Sequence, residues 1–482
     1  MRRIRILAAL LLWAAAQSGC ATNPVTGQRQ ISLVSSDQEL AMGQEGYKAV
    51  LQEYGAYDDA ALAKFVDGVG QKDGHVSHLP TLAWHFTVLD DPTVNAFAMP
   101  GGYIYVTRGI LAHLNSEAQL AGVVGHECGH VTARHSAQQI TKQQLYGLGL
   151  GIAGVLSPTV QHYSGLAQQG LQLLFLSYSR ENETQADELG VQYATKAGYD
   201  PREIPRTYVM LGRISAAAGS RLPNYLSTHP DPGNREVHTS QLAAQAAAGK
   251  TGLVVNGPSY VDRLDGVVFG NDPRQGYFES SRFYHPQMRF QMSFPSGWTT
   301  QNGRASVAAV SSGKTAQMQL SLANAGSLSP AEFVNQLGAK GSIADASGRR
   351  ESVGGYDAWV GHVVVAAQDG SRQPLVAAWI RRSDQMFQIL GATQTPGGDE
   401  DAQILESARS FRDLSDPGRI NVLPDRLKIV RAPGSGTFRS VVAQLGPQAI
   451  SVEQTSILND KQPEDRVVAG DRIKIVVPGS RR

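Results

Sequence analysis

Cysteine is nearly absent from this chain: there are two in 482 residues, Cys20 and Cys128. One ends an N-terminal leader and the other lies far inside, so no disulfide is expected and stability must come from packing. Neither sign of charge is in excess, with 43 Lys and Arg against 42 Asp and Glu. That balance, with no long basic run, leaves no electrostatic footprint for nucleic acid. Beyond the leader, no apolar stretch is long enough to cross a bilayer as a helix. No tetratricopeptide-like period is visible either. What remains is 41% hydrophobic and 18% charged, enough core material for two to four folded domains.

The leader reads as a targeting segment. Met1-Arg2-Arg3-Ile4-Arg5 is basic, and Ile6 to Ala16 is apolar but too short to span a membrane. Gln17-Ser18-Gly19-Cys20 resembles a bacterial lipobox, whose cysteine carries lipid, although Gln17 departs from the aliphatic residue usual there. Ala21 after the cysteine implies the outer membrane, facing the periplasm. The other reading is an ordinary secretory signal with an incidental cysteine.

Ser116 to Ser136, SEAQLAGVVGHECGHVTARHS, reads as one helix with Ser116 as N-cap and Glu117 in its first turn. Within it, His126 and His130 are four residues apart, about 400° of helix, so both imidazoles share a face and can hold one metal ion. Glu127 lies about 100° round from His126, near enough to serve as a proton carrier without being a ligand. Cys128 points off that face and reads as packing. His135, about 180° round from His126 on a continuous helix, is expected to face elsewhere.

The second informative stretch is Ser179-Arg180-Glu181-Asn182-Glu183-Thr184-Gln185-Ala186-Asp187. Glu183 and Asp187 share a helix face. A catalytic zinc site takes three protein ligands, and a distant carboxylate is what two histidines lack. Asp187, one turn on, is placed to accept the free ring N–H of a ligating histidine. Taken alone, the acid pair also reads as a solvated helix face.

H-E-x-x-H followed by S-R-x-x-E-x-x-A-D resembles the zinc metallopeptidase family of HtpX, BepA and the CAAX prenyl proteases. Asn95-Ala96-Phe97-Ala98-Met99-Pro100-Gly101-Gly102 and the Asn23-Pro24-Val25-Thr26-Gly27 start are similar to its periplasmic lipoprotein members. The resemblance covers roughly residues 20 to 245. It implies a mainly helical gluzincin-type domain with a small β-sheet. It also implies one Zn2+ per chain on His126, His130 and Glu183, with Glu127 as catalytic acid/base. Ser227-Thr228-His229-Pro230 and Arg235 are also similar to the family, in which this histidine lies near the metal, blocking it as a removable ligand or polarising substrate. By chemistry alone, His-Pro reads as a turn.

Past the connector the pattern changes to period two, as at Met288, Phe290, Met292 and Phe294 and again at Met318, Leu320 and Leu322. This predicts an α+β domain with an antiparallel sheet and two helices. Lys428-Ile429-Val430, helical Phe438 to Leu445 and Gly470 to Val476 predict a small β-α-α-β unit resembling a glycan-binding LysM domain, although its opening turn has Gly436-Thr437 in place of Gly-Asp-Thr. The expected layout is therefore multidomain: leader 1–20, metallopeptidase 21–250, connector 251–281, α+β domain 282–415 and LysM-like unit 425–478. The expected function is zinc-dependent endoproteolysis of misfolded or stalled envelope proteins. The rival readings are a chaperone-like binder of outer-membrane precursors with latent protease activity, and a peptidoglycan-anchored envelope factor.

Overall fold

The computed structural model describes residues 20–150, 177–217, 225, 228, 229, 232–366 and 372–479. The expected leader up to residue 19, the second half of the Gly-rich apolar run Leu145 to Leu156, and all but Ser177 of the apolar stretch Leu166 to Ser177 that reads as helical lie outside the described residues. Among the described residues, no helix is long and apolar enough to cross a membrane. By packing, the chain divides into two units, one holding Gly55–Asn271 and Asp425–Pro478, the other Asp272–Pro424.

The first unit opens with a short hairpin, β1 (Cys20–Thr22) and β2 (Arg29–Ile31), then α1 (Ser36–Glu53) and α2 (Ala60–Val76). Leu62, Val66 and Val69 recur at helical spacing on α2 and turn one face into the core. Three strands follow: β3 (His85–Leu89), β4 (Ala96–Met99) and β5 (Tyr103–Thr107). Pro100-Gly101-Gly102 turns β4 antiparallel onto β5, with both glycines at positive φ, whereas β3 runs parallel to β5. The sheet order is β3-β5-β4, leaving β4 on an edge. Then come α3 (Arg108–His113), α4 (Glu117–Thr132) and α5 (His135–Leu150), followed by α6 (Arg180–Lys196), α7 (Ile204–Ala217), α8 (Pro232–Ala247) and α9 (Gly257–Asp262).

The stretch expected as one helix is thus two. Ala133 caps α4, and Arg134 takes a left-handed conformation, φ 57°, that redirects the chain into α5.

The second unit has two sheets where one was expected. β6 (Tyr277–Glu279), β7 (Arg282–His285) and β8 (Phe290–Ser293) form a four-stranded sheet with β16 (Arg412–Asp413). The larger sheet holds β9 (Thr299–Asn302), β10 (Ser306–Val310), β11 (Ala316–Ala323), β12 (Ile343–Val353), β13 (Tyr356–Ala366), β14 (Arg372–Arg382) and β15 (Gln385–Thr393). Its order is β12-β13-β14-β15-β11-β10-β9, with every neighbour antiparallel. Alternate residues of β13 enter different cores, Trp359 on one face and Val360 on the other. Phe333 of α10 (Pro330–Ala339) belongs to the first of these cores and Ile404 of α11 (Asp399–Arg409) to the second, one helix per face.

The chain then builds β17 (Arg426–Arg431), β18 (Gly436–Thr437), α12 (Phe438–Val442), α13 (Val452–Leu458), β19 (Arg466–Val467) and β20 (Arg472–Val477), with β17 antiparallel to β20. This stretch, expected as a third small domain, packs as part of the first unit. Ile473 and Ile475 serve a local core, while Leu427, Leu458 and Val476 join the main core of α2 and α4. Lys474 also faces inward: its ammonium is fully buried and donates 2.8 Å bonds to the carbonyls of Ala112 and Leu114 at the end of α3. Replacing it strands two buried acceptors. Lys474→Ala should destabilise the first unit by about 2–4 kcal/mol. Scanning calorimetry should show its transition fall while that of the second unit stays put; two unmoved transitions would remove this role for Lys474.

Candidate metal centre

Helix α4 starts where its sequence says it should, with the Ser116 hydroxyl accepting from the Gln119 amide at 3.1 Å. Nearly all of its residues are buried, so its polar groups need partners inside the protein. Helix α6 supplies them because the two backbones almost touch. A Cβ on Gly190 would lie 2.9 Å from the amide nitrogen of His126, and one on Gly125 would lie 3.1 Å from the Gly190 carbonyl. Only glycine fits at that crossing.

That approach brings Glu183 and Asp187 to the histidine face. His126 Nε2 and His130 Nε2 are 3.0 Å apart. Glu183 Oε2 is 3.6 Å from His126 Nε2, and its Oε1 is 3.6 Å from His130 Nε2. His229 joins them, its Nδ1 3.4 Å from His126 Nε2 and 3.0 Å from Glu183 Oε1. All four residues are buried, with one donor atom from each within 4.8 Å of the others. Four ligands tetrahedrally placed at zinc bond lengths would stand about 3.3 Å apart, so this donor set fits one zinc ion.

Glu127 is also fully buried, and neither carboxylate oxygen has a hydrogen-bond partner. Its Oε1 is 3.7 Å from His229 Nε2. Burial pushes this carboxyl up, against the pull of His229 and His126. Burial pushes Glu183 the same way, but His229, Arg235 and His126 together outweigh it and hold Glu183 below its ordinary value. His130 is held well below the usual histidine range by burial and by its neighbouring imidazoles. A neutral imidazole is the form that ligates.

Asp187 Oδ1 lies 3.0 Å from His126 Nδ1. The same carboxylate takes two bonds from Arg235, at 2.8 and 2.6 Å, and one from the Tyr208 hydroxyl at 2.6 Å. Burial would raise it; Arg235 and His126 overcome that and keep it well below the carboxylate range. Arg235 Nη1 also stands 2.7 Å from Glu183 Oε2, as an ion pair without hydrogen-bond alignment. Arg235 thus touches both Glu183 and Asp187.

Sequence reasoning missed three aromatic supports. Tyr178 stacks on His130 with centroids 4.0 Å apart, Tyr225 stacks on His229 at 4.5 Å, and Tyr208 braces Asp187. Tyr225 stands four residues before His229, and that helical spacing could have found it, whereas Tyr178 and Tyr208 stand at no such spacing from a ligand. His135 needs a correction. It does not face away: the break at Arg134 turns its Nδ1 to 2.9 Å from His130 Nδ1. Burial lowers its ring to about 4, against the Gln185 hydrogen bond, so it is neutral at pH 7. Cys128 is buried, a free thiol pushed up by burial, and is not among the four donors.

The profile described as Peptidase family M48 matches residues 61–242, which span all of these side chains. Mitochondrial metalloendopeptidase OMA1 of Arabidopsis thaliana is 36% identical over 224 residues, 45% of this chain and 44% of its own length. OMA1 of Schizosaccharomyces pombe is 33% identical over 224 residues, 44% of this chain and 63% of its own. The beta-barrel assembly-enhancing protease of Escherichia coli is 29% identical over 235 residues, 46% of this chain and 47% of its own. The chain therefore spans about half the length of these relatives. The segment that carries the metal-ligand residues is thus similar to peptidase family M48.

Proposed function

We propose that this protein is a zinc-dependent endopeptidase of the bacterial cell envelope, acting on misfolded or stalled outer-membrane proteins. One observation carries the reading: Glu127, buried with both oxygens unpartnered, stands beside a four-donor cluster sized for zinc. His126, His130 and Glu183 would hold the zinc, which when bound would supply Lewis acidity to a scissile carbonyl and acidify water. Glu127 takes the water proton and returns it to the leaving amine. Asp187, itself fixed by Arg235 and Tyr208, orients His126. The envelope setting and substrate class draw on the name of the Escherichia coli relative and on the lipobox-like Cys20, whose lipid would tether the chain to the outer membrane.

His229 favours a latent form of the same enzyme, in which a chaperone-like role dominates until the site opens. Its Nδ1 occupies the place of a fourth ligand, where a catalytic zinc keeps a position open for water. His229 then acts as a removable latch.

The purified chain should carry about one zinc per molecule by elemental analysis. Glu127→Gln should keep that zinc while cleavage of casein or unfolded porin falls about 100- to 10,000-fold. Glu183→Ala should lose both metal and activity. A Glu127→Gln protein that cleaves at the wild-type rate would refute the proton-carrier role. His229→Ala should raise basal cleavage with zinc retained; an unchanged or lower rate would remove the latch.

A further inference from the structure

His130 can offer its Nε2 lone pair to a metal only if its ring proton sits on Nδ1. That nitrogen faces His135 Nδ1 at 2.9 Å, so one of the pair donates and the other accepts. The second nitrogen of His135, Nε2, lies 2.9 Å from Gln185 Oε1 on α6. The amide oxygen can only accept, so His135 carries its proton on Nε2 and leaves Nδ1 bare. His130 must then donate from Nδ1. One assignment satisfies every atom along the line from Gln185 to His130, and it ends with an unprotonated Nε2 that faces another, on His126, at 3.0 Å. Two bare lone pairs so close repel unless a cation lies between them.

We propose that His135, held by Gln185, is the positioning residue that fixes the metal-binding tautomer of His130. The proposal rests on the zinc reading of the cluster. The backbone supports it independently. Arg134 adopts φ 57°, a conformation that costs a non-glycine residue about 1 kcal/mol or more. Its side chain is buried and bonded at 2.8 Å to Glu39 and at 3.0 Å to the Val34 carbonyl, and Asn23 donates to the Ala133 carbonyl at 3.1 Å. This strained, anchored turn is what aims His135 back at His130.

The test is zinc affinity of the full chain at pH 7.5, by competition with a chromophoric chelator, independent of turnover. His135→Phe keeps a ring but removes the acceptor and should raise the zinc Kd about 10- to 100-fold. His135→Asn restores an acceptor oxygen and should return the Kd to within about threefold of wild type. A Phe variant that binds as tightly as wild type would overturn the proposal, as would equal losses in the two variants. If the Phe variant does not fold, Gln185→Ala at a half-buried position takes its place, and an unchanged Kd overturns the proposal equally. Wild-type protein that takes up no zinc would instead sink the metal reading itself.

Discussion

The site depends on how closely two helices approach. A carboxylate on α6 reaches imidazoles on α4 only because Gly125 and Gly190 remove the side chains that would hold the backbones apart. A Cβ at residue 190 would meet the His126 backbone at 2.9 Å, so the two helices would have to shift at the crossing that sets these distances. Close packing here serves geometry before stability, because the atoms brought together are charged and cost free energy to bury. The apolar core around Leu120, Val124 and Val69 has to offset that cost.

Much of the site was legible because helices convert spacing into direction. His126 with His130, and Glu183 with Asp187, needed only the helical period to be assigned to common faces. What misled the reading of His135 was the same rule applied across a break. No glycine marks the end of α4, and Arg134 holds the left-handed position through contacts with Glu39 and Val34 that are distant in sequence. Strand β12 was missed for a different reason. Ala344 to Arg350 are exposed, so an edge strand with no buried face shows no alternation. In an Ile473-Lys474-Ile475 alternation nothing marks the lysine as buried, yet both faces of that strand are covered. A single sequence reports periodicity well and partners poorly.

Charge explains why so many polar groups crowd one closed volume. Among the described residues, three buried carboxylates, Glu127, Glu183 and Asp187, gather around one buried guanidinium, Arg235. With all three ionised, two negative charges stay uncancelled, the charge a zinc dication supplies. The carboxylates also act on their neighbours: Glu183 and Glu127 outweigh burial and hold His229 above its ordinary value, while burial pushes Glu127 itself upward.

That balance also accounts for the unlike supports of the two histidine ligands. His126 leans on Asp187, whose charge is already shared with Arg235 and Tyr208, so an anionic partner is tolerable there. Among the described residues, no second guanidinium stands behind His130; its partner is a neutral imidazole backed by a neutral amide. A carboxylate at residue 135 would make His130 a more basic ligand but would leave the metal-loaded site with one negative charge uncancelled. A neutral acceptor fixes the tautomer and adds no charge, and among side chains an imidazole with its far nitrogen donating is one of the few that can do both.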